Sequence, residues 1–124
     1  MPMPAASRVW LVIAGLSGAA GVALAAAAAH RAVADATLVA RAAEFLLLHA
    51  PALVACAWLA DRRGGIWPNL AGLGFLAGVL LFCGTLALRG AGLSVSGRLA
   101  PAGGIALIVG WLALAGSAFG RRSG

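Results

Sequence analysis

Residues 42–60 read AAEFLLLHAPALVACAWLA, and every position except Glu44, His49 and Pro51 is apolar. A helix rises 1.5 Å per residue, so about 20 residues cross a hydrocarbon core of roughly 30 Å. The stretch is long and apolar enough to span a bilayer. Glu44 and His49 then need an explanation. Ionisable groups inside a membrane are costly, so they are paired, turned towards the interface, or used for function.

The rest of the chain agrees with a membrane reading. Its 124 residues are 63% hydrophobic and 10% charged, with a mean hydropathy of +1.03. A soluble domain carries roughly 25% charged residues, and a water-facing surface could not be covered with so few. The net charge of +6 is nine basic residues less three acidic ones; the basic residues are all arginine, in groups no longer than two. Nucleic-acid binding needs a basic face or stripe, so no nucleic-acid partner is expected. Arginines flanking apolar runs act instead as interfacial anchors, with the lipid bilayer as partner.

Four runs have span length: 9–29, 38–60, 69–88 and 100–119. They predict an all-α fold, an integral membrane four-helix bundle forming one transmembrane domain over 1–124. The runs are continuous and rich in Ala and Leu, not alternating, which excludes a β-barrel. Asp35 and Thr37 are candidate N-caps for the second helix. Pro68 and Pro101 stand near the starts of the third and fourth. Pro51 is expected to kink the second, and Arg62 to Gly65 (RRGG) reads as a tight turn.

The first run, with its basic start and Ala-x-Ala ending, has the look of a signal peptide. Its 21 residues exceed a signal h-region of about 7 to 15, and a retained span is expected. Four spans place Arg8, Arg62, Arg63, Arg121 and Arg122 on one side, and Arg31, Arg41, Arg89 and Arg98 on the other. That balance points to both termini in the cytoplasm. Trp10, Trp58, Trp67 and Trp111 mostly fall near span ends, as interface anchors do. Cys56 and Cys83 fall near opposite faces and are expected to be free thiols.

Small residues suggest close helix packing. Gly15, Gly18 and Gly21 with Ser17 mark the first span. Gly72, Gly74 and Gly78 mark the third, with Gly84 further along. Gly103, Gly104 and Gly110 mark the fourth.

The candidate intramembrane polar site is His30, Glu44, His49 and Arg89, which span counting places in one membrane half. Glu44 and His49 are about 7.5 Å apart along a helix axis and about 140° apart around it, so they do not share a face. Each also has a plain structural reading. Glu44 can pair with Arg41 three residues earlier, near the interface. His49 can make an interhelical hydrogen bond, and His30 can sit at the interface. His30, Glu44 and His49 are suitable metal-ligand types, but no tight ligand pair is present, so a metal site is left open. No cofactor is implied. No nucleophile elbow, phosphate loop or paired catalytic carboxylates occur, and the chain is not expected to be an enzyme.

The blocks GLSGAAGVALAAAAAH, AAEFLLLHAPALVACA, LLFCGTLAL and APAGGIALIVGWLALAGSA resemble, in order, those of the YgdD/YwdK-like family of small inner-membrane proteins (domain of unknown function 423). The resemblance is carried by Ser17-Gly18, Ala29-His30, Glu44 with His49, Phe82 to Thr85, Pro101 to Gly104 and Gly110-Trp111. It covers about Leu16 to Ala118. It implies a bacterial inner-membrane address and a helical fold, without an assigned reaction. The chain departs from the family in its Ala run before His30, in Cys83 where a Ser is usual, and in the apolar Phe45 to Leu48. That last departure disfavours a water-filled path beside Glu44.

The expected role is a structural, accessory or assembly subunit packing against a larger membrane-protein complex or in a homo-oligomer. The alternatives are a proton, small-ion or metabolite pathway through Glu44 and His49, and a metal- or haem-binding redox partner.

Overall fold

The computed structural model describes residues 2–120. Within them are four helices long and apolar enough to cross a membrane, and no strand. They are α1 (Ala5–Ala29), α2 (Ala36–Arg62), α3 (Ile66–Gly90) and α4 (Leu99–Gly116). The fold is an all-α four-helix membrane bundle. Arg121 and Arg122, counted in the charge balance, lie outside the described residues.

The first three helices overrun the predicted spans at one end or both, because a helix continues past its apolar run until something caps it. Asp35 starts α2: its Oδ1 accepts from the backbone N–H of Thr37 at 3.0 Å and of Leu38 at 3.2 Å. The helix runs unbroken through Pro51 to Arg62, where Gly64 (φ 64°) and Gly65 (φ 81°) turn the chain. α4 stops short of the predicted boundary, as a turn follows Gly116.

α1 lies along α2, α3 lies along α4, and α2 and α3 pack on each other. Glycines set these approaches. A Cβ on Gly21 would fall 2.7 Å from Leu47 Cγ. One on Gly74 would fall 2.8 Å from Gly110 Cα, so α3 and α4 touch backbone to backbone there. Gly18 rests on Ala50, and Gly103 abuts the Leu81–Phe82 backbone. Gly84 and Gly104, read as packing residues, have open space where a side chain would go, while Ser17 is buried.

α3 is not uniform. Val79–Cys83 forms a π turn, and the Thr85 hydroxyl donates to the Leu81 carbonyl within it. Widening a turn leaves carbonyls without their usual donors, and a hydroxyl one turn later can supply one.

Each end of the bundle has a cross-tie. At one, the Asp35 N–H donates to the Gly90 carbonyl at 2.8 Å. At the other, Arg63 Nη1 donates at 2.9 Å to the carbonyl of Ser117, the C-cap of α4. A cation there also offsets the negative end of the helix dipole.

Candidate functional site

His49 is the midpoint of α2, thirteen residues from Ala36 and thirteen from Arg62. At 1.5 Å per residue it lies about 20 Å from either end, at the bilayer midplane. It is 2% exposed. Both ring nitrogens are engaged. The indole N–H of Trp111 on α4 donates to His49 Nε2 at 3.0 Å. An indole is a donor only, so Nε2 is the acceptor and the proton is on Nδ1. Nδ1 then donates to the Phe45 carbonyl, 2.7 Å away and one turn back on the same helix.

Aromatic rings enclose the pair. Phe75 of α3 lies 5.5 Å from the His49 ring and 5.0 Å from the Trp111 ring, between centroids. Phe45 stacks on His49 at 6.0 Å and meets Phe82, within the π turn, at 4.6 Å. Gly110 is what lets the Phe75 ring in, since a Cβ there would fall 2.7 Å from Phe75 Cδ1. Contributions from α2, α3 and α4 converge on one imidazole.

The four residues read as a polar site are not brought together. Glu44 faces outward with 65% of its side chain exposed, and pairs with Arg41 at 3.5 Å. His30 caps α1 and is exposed, and Arg89 is exposed in the last turn of α3. The 140° between Glu44 and His49 places one outside the bundle and the other in its core. Among the described residues no group of three His, Cys, Asp or Glu could hold a metal ion. Cys56 and Cys83 are buried and free.

Two tryptophans read as interface anchors have other roles. Trp111 holds His49. Trp10, 5% exposed, donates through Nε1 to Asn69 Oδ1 of α3 at 2.8 Å and lies against Gly72. An indole N–H away from water needs a partner, and an Asn or His in a neighbouring span is the sequence signal that such a pair exists, without saying which Trp takes it. Trp58 and Trp67 are exposed, and the Arg62 guanidinium sits 5.8 Å from the Trp58 ring.

Comparison with known proteins fits this architecture. A family model described as "Protein of unknown function (DUF423)" matches residues 17–104. The chain is 37% identical over 71 residues to "UPF0382 membrane protein YwdK" of Bacillus subtilis (strain 168), covering 56% of this chain and 58% of that relative. The chain thus matches a little over half of that protein's length. No solved structure matches it. The matched family segment begins at Ser17 in α1, includes Glu44, His49 and the π turn, and ends at Gly104 in α4; the chain belongs to the DUF423 family and is a membrane protein.

Proposed function

We propose that this protein is a non-enzymatic accessory or assembly subunit of the bacterial inner membrane, with both termini in the cytoplasm. Its partner is a larger membrane-protein complex. One observation carries the reading: the single imidazole at the midplane has both nitrogens committed within the fold, to Trp111 and to Phe45. A proton relay needs a group free to exchange its proton along a path, whereas His49 is enclosed by aromatic rings. Glu44, the acid of the alternative pathway, is engaged with Arg41 on the outer surface. The outward face of α4 offers Ile105, Ile108 and Leu112, each more than half exposed, to lipid or to a neighbouring helix. Small-residue faces and close packing suit a module that docks as a unit.

Photo-crosslinking in native membranes tests this. A photoreactive residue at Ile108 or Leu112 is expected to give a discrete adduct with another membrane protein, and one at buried Ala71 to give none. Lipid adducts alone at every outward position, together with proton flux in liposomes that His49→Ala abolishes, would overturn the reading in favour of a pathway.

A further inference from the structure

α1 and α2 touch closely at Gly21 and Leu47, and towards the loop that joins them their small side chains leave space. Between them is an open groove of about 1030 Å³ whose walls are mostly alanine. Along α2 it extends from Ala36 to Leu47, eleven residues or about 16 Å, close to half the hydrocarbon thickness. Its deep end is apolar. Its outer end carries Arg31 and Asp35, with the Arg41–Glu44 pair along one wall.

Two of these groups, Arg31 and Asp35, keep hydrogen-bonding capacity that the fold does not use. Arg31 has no carboxylate partner among the described residues, and both cap hydrogen bonds of Asp35 fall on Oδ1, leaving Oδ2 free. Arg31 also sits where a glycine is usual. Its N–H donates to the Ala28 carbonyl and that of Ala32 to Ala27, the Schellman closure of a helix, with Arg31 at φ 53°. The same closure ends α3, and there the left-handed residue is Gly92. A side-chain-bearing cation thus holds a strained position at the mouth of the groove.

We propose that the groove binds one phospholipid whose headgroup carries a primary ammonium, of the phosphatidylethanolamine class. An acyl chain lies along the alanine walls down to Leu47. The phosphate accepts from the Arg31 guanidinium, and the ammonium donates to Asp35 Oδ2. The rim matches a zwitterion: two guanidiniums and two carboxylates face the groove, and a purely anionic headgroup would meet both acids. A quaternary ammonium has no N–H to donate, so phosphatidylcholine fits less well.

Native mass spectrometry of the full chain in mild detergent tests the site, with phosphatidylethanolamine, phosphatidylcholine and phosphatidylglycerol of matched acyl chains in competition. One phosphatidylethanolamine is expected to be retained over the other two. Arg31→Gly, which removes the cation and relieves the backbone, should fold at least as well and retain all three lipids about fivefold less. Asp35→Asn keeps a capping oxygen and should reduce phosphatidylethanolamine to the phosphatidylcholine level. Ala40→Leu, at an exposed wall position, should lower retention of all three. Equal retention of the three lipids, unchanged in every variant, would mean annular lipid only and overturn the proposal. Displacement by inorganic phosphate with no effect of Ala40→Leu would do the same, indicating a phosphate site without a lipid.

Discussion

His49 and Glu44 lie five residues apart and have opposite fates, and helix geometry explains why. The rotation between them sends one side chain into the core and the other to the surface. Pairing of Glu44 with Arg41 was legible in the sequence, because three residues separate them on one helix face. So was an interhelical hydrogen bond for His49, but not its partner: choosing Trp111 requires knowing how α4 rotates against α2. Interhelical hydrogen bonds in membranes contribute about 0.6 kcal/mol on average and up to about 1.7 kcal/mol. Trp111→Phe and His49→Leu are each expected to destabilise the bundle, since each strands a polar atom in hydrocarbon. In the double variant the losses should be less than additive, with a coupling of about 1 kcal/mol measured by reversible unfolding in mixed micelles. Additive losses would mean that the two side chains do not interact.

At the scale of the helices, caps and packing glycines were partly legible. Asp35 was readable as a cap from its type and place before an apolar run, and Asp35→Ala should cost about 1 kcal/mol in the same unfolding measurement. A glycine's neighbours cannot be read from spacing. Gly74 and Gly104 both look like packing positions, yet one meets the Gly110 backbone and the other meets nothing. Gly74→Ala should cost about 1–3 kcal/mol, because two backbones would have to move apart. Gly104→Ala should be neutral or stabilising by up to about 1 kcal/mol, through its better helix propensity. Equal effects would refute the proposed α3–α4 contact. The π turn at Val79–Cys83 had no signal of its own in the sequence. Thr85, one turn beyond, is the residue that accommodates it.

For the whole molecule, four long, largely apolar runs in a chain with few charges were enough to give the number of spans and the helical class. Helix ends were displaced by a few residues because hydropathy marks the hydrocarbon, whereas caps and turns mark the helix. The relative placement of the helices depends on side-chain fit and was beyond reach, as the dispersal of His30, Glu44, His49 and Arg89 illustrates. Even crossings place the α1–α2 and α3–α4 loops together and the α2–α3 loop opposite them. With both termini in the cytoplasm, an impermeant thiol reagent applied to intact cells should label Ser94→Cys and Ala32→Cys and spare Asp61→Cys. Labelling of Asp61→Cys instead would invert the proposed orientation, and labelling of all three would contradict four crossings.

The account turns on the midplane imidazole being sealed within the bundle. Nitrogen NMR of protein labelled at histidine and tryptophan, in lipid nanodiscs, reads this directly. The expected result is a scalar coupling between Trp111 Nε1 and His49 Nε2, with an indole proton that resists exchange with solvent deuterium. An uncoupled indole whose proton exchanges rapidly would show water reaching the midplane, and the sealed-core account would be wrong.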